Sequence, residues 1–510
     1  MKILKLSYAL LLAGALFSCT KLEQRLRSEV SAESSSVTAT GLLQSAYEFL
    51  NSPYQDQARI WCLNEHTTDE CVGPTRAGDW DDNGVWRVLH AHTWAADHGF
   101  AAATFSELLQ VQFAASSVLT KSPSTQQAAE ARFLRALSMF SVLDVWDQVP
   151  YRADLTDLKQ LPETKKGQAC ADFIISELEA IINDLPNGPA IKANKNAARA
   201  LLMKLYLNRG VFANRQSPTF AAADMAKVVS LADQITGFSY TTNYYKNFSP
   251  DNETASTENI FSLENTNGVR GGNNQSRWYC TLHYNQNPSG WNGFTTLSDF
   301  YNKFLITPQD TTDKRLGGPY LSGYYSGVTD VSGLRVGLLV GQQYNQNGVA
   351  LTDRGGNPLS FTPQVALVES GNNLEVTGIR VIKFPPDYQF NFPARNDMVL
   401  LRYADVQLMK AEALLRQGAG NEPAARAIVN ALRTARGATS TYSTLTLDNI
   451  LDERGRELYW EGWRRNDLIR FGKWLQAWQL KSASDAKRLL FPIPSDQLAL
   501  NPNLTQNSGY

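Results

Sequence analysis

Apolar residues recur at helical spacing in separate parts of the chain, and these parts predict helices that lie against other helices. Over residues 129–146 the positions Phe133, Ala136, Leu137 and Phe140 share one face, and over 404–416 Ala404, Leu408, Ala411 and Leu415 do the same. Small Ala residues in both stripes let a neighbouring helix approach closely. Residues 404–436 read as a helix, a Gly-Ala-Gly-Asn turn and a second helix. Residues 172–185 and 196–212 form another such pair across Pro186-Asn187-Gly188-Pro189.

The hairpin at 404–436 resembles a tetratricopeptide-type unit, but no constant repeat length is kept, because long non-helical stretches interrupt the array. The largest, 241–396, is dense in Asn, Gly, Tyr and Trp and predicts loops with short strands. A second stretch of this kind spans 64–100. Loops this long inside a domain are functional or disordered, and their content of large rings argues for order. Composition fits that picture: 43% of the 510 residues are hydrophobic, enough for a sizeable core. The net charge of −1 lacks the basic excess that general nucleic-acid binding or attraction to an anionic bilayer requires.

At the N-terminus, Lys2 and Lys5 precede an apolar run over 6–17, which ends at Leu16-Phe17-Ser18-Cys19. The run reads as a secretory signal, since it falls short of the ~20 apolar residues of a membrane-spanning helix. Its end resembles the bacterial lipoprotein box, so Cys19 is the expected lipid-bearing residue. The Ser-rich stretch that follows has no apolar period and reads as a flexible tether. The remaining cysteines, Cys62, Cys71, Cys170 and Cys280, lack zinc spacing, and a Cys62–Cys71 disulfide stays open.

Chemistry-bearing motifs are sparse. His90-Ala91-His92 has the spacing of two metal ligands on a strand, but His66, His98 and His283 are the only other histidines, and packed or hydrogen-bonded imidazoles are the plainer reading. Asp79 to Gly84 matches the opening of a calcium loop, yet the twelfth position is His90 where a Glu is required, so an acidic turn is expected. Glu453, Glu457 and Glu461 share a helix face beside Arg456, Arg464 and Arg465, which predicts a structural ion network. Glu65, Asp69 and Glu70 are the better acid candidates for hydrolysis. No nucleophile elbow, phosphate loop or dinucleotide fingerprint is present, and no cofactor is implied.

What recurs instead is Trp or Tyr beside Asn, Asp, Arg and Gly. One group holds Arg76, Asp79, Trp80, Asp82, Asn83, Trp86 and Trp94; a second holds Trp278, Tyr279, Tyr284 and Trp291; a third holds Tyr320, Tyr324 and Tyr325. Between Asn265 and Asn292 there are seven Asn and four Trp or Tyr. Sugar rings stack their C–H faces on aromatic rings while their hydroxyls seek polar partners, so these loops are candidates for a carbohydrate surface. For any single ring among them, anchoring its loop to the core is the plainer reading, and it is as a set that they suggest a ligand surface.

Four stretches resemble the SusD/RagB family of outer-membrane nutrient-binding lipoproteins: AEARFLRALSMFSVLDVWDQVPYR at 129–152, VLLRYADVQLMKAEALLR at 399–416, ILDERGRELYWEGWRRNDLIRFGKW at 450–474 and LLFPIPSDQLALNPNLTQNSGY at 489–510. The resemblance implies a mainly α fold, with tetratricopeptide-like helical repeats packed against an irregular, loop-rich portion with short strands. It also implies a partner, a TonB-dependent transporter of the SusC type, and a glycan or other nutrient as cargo, with ligand surfaces built from loop aromatics. The expected organisation is a lipoprotein signal (1–18), a lipidated Cys and tether (19–40), an N-terminal helical region (41–240), a ligand-binding insertion (241–396) and a C-terminal helical region with its tail (397–510). Three functional readings follow: a non-catalytic binding lipoprotein; a surface glycosidase or metal-dependent hydrolase using Glu65, Asp69, Glu70 or the His90/His92 pair; and a structural lid of the transporter without ligand affinity of its own.

Overall fold

Local capping signals open several of the long helices; those expected at 129–146, 196–212 and 404–416 stand within a few residues of these bounds, whereas the one expected at 172–185 runs Gly167–Ile181. The computed structural model describes residues 37–266, 273–306, 312–317, 336–345, 347–371, 374–390 and 393–510. The first helix, α1, is Ala39–Glu48, and α2 is Gly99–Leu119. Ser124 and Gln127 then form a capping box that starts α3, Thr125–Trp146. Asn194 caps α5, Lys195–Ala213, which follows α4, Gly167–Ile181. After α6, Ala222–Asp233, come α7, Tyr403–Arg416, and α8, Glu422–Ala435. A Thr446/Asn449 capping box opens α9, Leu447–Leu458, and α10 is Arg464–Arg470.

From α2 to α6 each helix packs chiefly on the helix before and after it, and the array continues from α6 directly onto α7, then α8 and α9. The chain between α6 and α7 is therefore a long excursion that returns to its point of departure. Its stem is the antiparallel pair β4, Asn259–Leu263, with β10, Met398–Arg402, where Met398 faces Leu263 and Arg402 faces Asn259. Helix α3 departs from the single apolar face read in its sequence: every residue from Phe133 to Trp146 is buried. Neighbours surround it, and its polar positions survive burial only because each has a partner. Arg135 reaches Glu177, and Asp144 takes Arg465 and Asn466.

Short strand pairs join the two loop-rich segments. β1, Thr75–Arg76, runs parallel to β8, Val368–Glu369; single bridges link Val72 to Thr295 and Thr296 to Ile379. β9, Arg380–Ile382, pairs with β5, Gly337–Leu339, while β6, Gly341–Gln342, pairs with β7, Ser360–Phe361. The hairpin of β2, Gln148–Tyr151, and β3, Glu163–Lys166, lies outside this region, between α3 and α4. Residues 64–100 thus share backbone ladders with the excursion, although hundreds of positions separate them in the chain.

A buried ion network ties the excursion to the helices. On α9, Glu453 takes Arg315 at 2.7 Å and Arg433 at 2.9 Å. Glu457, one turn later, takes Arg402 at 2.6 Å, Arg436 at 2.7 Å and Arg315 at 3.1 Å. Glu461, beyond the helix end, takes Arg402 and Lys383. The expected network exists, but most of its cations are remote in sequence. Of the three neighbours read from spacing, only Arg456 joins it, while Arg464 pairs with Asp69 and Arg465 with Asp144. Burial by itself would raise the Glu457 carboxyl, but Arg436, Arg402 and Arg315 outweigh it and hold it down at about 2.

Removing one member leaves buried charges uncompensated, so Glu457→Ala is expected to cost about 3–5 kcal/mol in urea unfolding. Because the folded carboxyl is depressed, its contribution is present above about pH 4.5 and lost as the pH falls towards about 2. The variant should therefore lose part of the acid limb of its stability curve, and an unchanged limb would contradict this role.

Candidate functional site

Two loops, one from each aromatic-rich segment, build an exposed ledge. In the first, Arg76 and Asp79 exchange backbone hydrogen bonds of 2.9 and 3.0 Å, closing a turn, and just beyond it Trp80, Asp82 and Asn83 take positive φ values of 60°, 40° and 54°. The second runs from the helical turn Ser276–Tyr279 to Phe294. It folds back on itself through Trp291 N–H to the Tyr279 carbonyl at 2.6 Å and Asn292 N–H to the Leu282 carbonyl at 2.8 Å. The Trp80 indole donates Nε1–H to the Trp291 carbonyl at 2.8 Å, which locks the loops together.

Trp291 is 53% exposed. Its ring lies 6.0 Å from that of Tyr279 with only 18° between their planes, and 6.3 Å from that of Trp80. Tyr279 and Trp80 are half-buried. Gly293 makes this packing possible, since a Cβ there would stand 2.3 Å from the Trp80 ring.

The remaining predicted residues divide by burial. Trp86 and Trp94 are 3% and 1% exposed, and Trp278 is fully buried, so the stacking role expected of them is corrected to packing. Trp86 donates to the Asp82 carboxylate at 2.9 Å; Trp94 stacks on Phe491 at 4.3 Å and donates to the Tyr510 hydroxyl. Arg76 is likewise buried, with its guanidinium donating to the backbone carbonyls of Leu374, Thr377 and Gly293. The physical reason is area: each ring carries apolar surface that two loops can cover by packing on each other. Asp79, Asp82 and Asn83 are exposed at the tip of the first loop. Tyr320, Tyr324 and Tyr325, together with Cys19, lie outside the described residues.

Beside the ledge opens a cavity of about 260 Å³, lined by Asp79, Tyr284, Asn292, Asp353, Arg354 and Asn357 among others. The Tyr284 hydroxyl donates to Asp79 at 3.1 Å, and the Arg354 guanidinium lies 4.0 Å from the Tyr284 ring centre while pairing with Glu375. His283 accepts the Asn285 N–H on Nδ1 at 3.0 Å, so its proton sits on Nε2 and is donated to Glu375 at 2.8 Å. Burial is the largest influence on His283 and keeps it below its ordinary range. On Glu375, partial burial acts upwards, but Arg354 and His283 prevail and lower it. A carboxyl so held is a hydrogen-bond acceptor and a poor general acid. Sequence reading missed Asp353, Arg354, Asn357 and Glu375. The polar run Asp353-Arg354-Gly355-Gly356-Asn357 was a visible turn signal, but nothing local told that the turn faces Tyr284.

The candidates for hydrolysis are bound into the core. His90 contacts the carbonyls of Cys71 and Gln479, and His92 those of Thr67 and the Ser484 hydroxyl. Asp69 is held by both Nε and Nη2 of Arg464. Glu65 accepts the Gly462 N–H, Glu70 accepts the Trp460 N–H, and their other oxygens, Glu65 Oε2 and Glu70 Oε1, have no backbone or basic hydrogen-bond donor among the described residues, although Arg464 Nε stands 3.5 Å from Glu70 Oε1. The two carboxyls hydrogen-bond each other, which requires a proton on one of them. Burial, reinforced on Glu65 by the neighbouring Glu70, pushes Glu65 well above the carboxylate range and Glu70 up to about 8. The acidic turn folds as expected of a turn, with Asp81 on Arg87 and Asp82 on the Trp86 indole. Cys62, Cys71, Cys170 and Cys280 are buried free thiols.

Comparison with known proteins agrees with this architecture. Residues 232–485 match the model of the SusD family. The starch-binding protein SusD of Bacteroides thetaiotaomicron is 26% identical, over 88% of this chain and 84% of its own. The chain belongs to the SusD family. Among solved SusD-like folds, the surface glycan-binding protein A of Bacteroides thetaiotaomicron, in complex with laminarihexaose, superposes with a TM-score of 0.63 at 16% identity, covering 92% of this chain and 98% of that one. NanU of B. fragilis superposes at 0.66 with 18% identity, covering 92% and 96%. The stretches that carry the family resemblance are α3, β10 with α7, α9 with α10, and the tail, all of them parts of the frame.

Two outcomes follow for this SusD-family chain. The shared proton favours the folded state most below about pH 4.5, and that advantage is lost as the pH rises through about 8. The depressed histidines act in the opposite direction over this range, so the effect is read by difference: Glu65→Gln, whose amide can donate to Glu70 at any pH, should gain a few degrees in melting temperature relative to the parent between about pH 5 and about pH 8.5, and a constant difference would contradict the shared proton. Gly293→Ala should displace Trp80, read as a changed near-ultraviolet dichroism with little change in the far ultraviolet; an unaltered spectrum would contradict the close approach.

Proposed function

We propose that this protein captures a glycan at the cell surface on the Trp80–Tyr279–Trp291 ledge and hands it on without cleaving it. The observation that carries the reading is the exposed face of Trp291, continued by Tyr279 and Trp80 and bordered by a polar cavity. Flat rings beside hydroxyl-binding groups are the combination a sugar chain needs. The names of relatives point the same way, with starch for one and laminarihexaose for another. Within this reading Cys19 carries a lipid that holds the chain on the outer membrane, a SusC-like TonB-dependent transporter receives the cargo, and Asp79, Asp82 and Asn83 supply hydrogen bonds. No helix among the described residues is long and apolar enough to cross a membrane, which agrees with an anchor of another kind. The acids at the cavity serve as acceptors for sugar hydroxyls, which supports binding over hydrolysis.

Calorimetric titration with α-glucan and β-1,3-glucan hexaoses tests it. Trp291→Ala is expected to weaken whichever chain binds by about tenfold or more, while Trp94→Phe, remote in role, leaves binding in place. Product release from the bound chain, or full affinity in Trp291→Ala, would refute capture on this ledge.

A further inference from the structure

Resting on the platform reading, we propose that the cavity beside the ledge selects neutral glycans and turns away acidic ones. The cavity and the ledge are one surface, because Asp79 precedes Trp80 and Asn292 follows Trp291, and Asp79 and Asn292 both line the cavity. What a sugar meets there depends on which charges are free to act on it.

The cations are committed. Arg76 and Arg380 are 4% and 0% exposed; Arg76 spends its guanidinium on Leu374, Thr377 and Gly293, and Arg380 on Thr377, Gly378, Glu375 and the Asn292 side chain. Arg354 is exposed but pairs with Glu375 and lies over Tyr284. The carboxylates are less compensated. Asp79 accepts one hydrogen bond from the neutral Tyr284 hydroxyl, and Asp353 accepts from the backbone and side-chain amides of Asn357. Neither has an ion pair among the described residues. Glu369 sits opposite Arg76 on the paired strand, and Asp82 is exposed on the same loop as Asp79.

A neutral sugar can therefore offer its hydroxyl protons to Asp79 and Asp353, an exchange that needs no counter-charge. A uronate, sialate or sulfate would bring a second negative charge against carboxylates in a concave, partly water-excluded space, where no guanidinium of the described lining is free to receive it. The Nε–H groups of Arg76 and Arg380, which have no partner among the described residues, are lone donors on buried groups whose charge is already shared with backbone carbonyls.

The test is a glycan array carrying neutral hexose chains, their C6-oxidised uronic counterparts, and sialylated and sulfated chains, followed by titration of the best neutral chain and its oxidised form. The strongest signals should be neutral, with the oxidised chain at least about tenfold weaker at low salt and the gap narrowing as ionic strength rises. In the Asp79→Asn, Asp353→Asn double variant the gap should shrink severalfold, because the acidic chain gains while the neutral one loses. Strongest signals from anionic chains, with Trp291→Ala still weakening them, would overturn the charge selection and leave the ledge standing. Silence across the array, or binding indifferent to Trp291→Ala, would overturn the ledge and this inference with it.

Discussion

Glu457 sits where three arginines converge from parts of the chain that no local rule brings together. Arg315 comes from the excursion, Arg402 from the strand that closes its stem, and Arg436 from the end of α8. Burying so many charges is costly in itself, and the cost is offset only while each carboxylate oxygen meets its guanidinium. Such a network tolerates little displacement of any member, so it sets where the excursion stands on the helical frame. Hydrophobic contact alone would hold the same pieces together with less precision of place.

The position of the ledge follows from that constraint. Lys383 just after β9 bonds the carbonyls of Glu457 and Tyr459, and β9 reaches Thr296 through Ile379, next to the loop that bears Trp291. From the other side, the Trp460 N–H and indole are taken by Glu70, whose neighbour Val72 bridges to Thr295. Both loops are thus tied to the segment that follows α9. Rings held in this way lose little freedom when a ligand arrives, which favours binding by surfaces that gain little per contact.

The C-terminal tail shows the same economy of means. Asn507 donates to the carbonyls of Trp146 and Phe491, Gln148 donates to the Thr505 carbonyl, and the Tyr510 hydroxyl meets the Trp94 indole. The tail therefore closes over the end of α3 and over an aromatic from the first loop-rich segment. A residue that composition marks as a ring for display is here a fastening.

Helix positions were legible in sequence because a helix records its own contacts at a period of about 3.6, and caps such as Ser124 and Thr446 mark its ends. The carboxylates Glu453 and Glu457 on α9, with Glu461 just past its end, announced their ion network by spacing, and the loop-rich segments announced themselves by composition. Spacing could not name Arg315 or Arg402 as partners, nor show that Trp278 turns inward while Trp291 turns outward from the same loop. It also could not bring Asp353 and Arg354 to Tyr284. A loop carries no period from which to read which side faces solvent; that is decided by what packs beneath it, and what packs beneath it comes from distant parts of the chain. The helical frame and the kinds of side chain available for a ligand were readable from the order of residues, since both are recorded locally. Which of those side chains are exposed together emerged with the packing of distant segments, because exposure is a property of assembled surfaces.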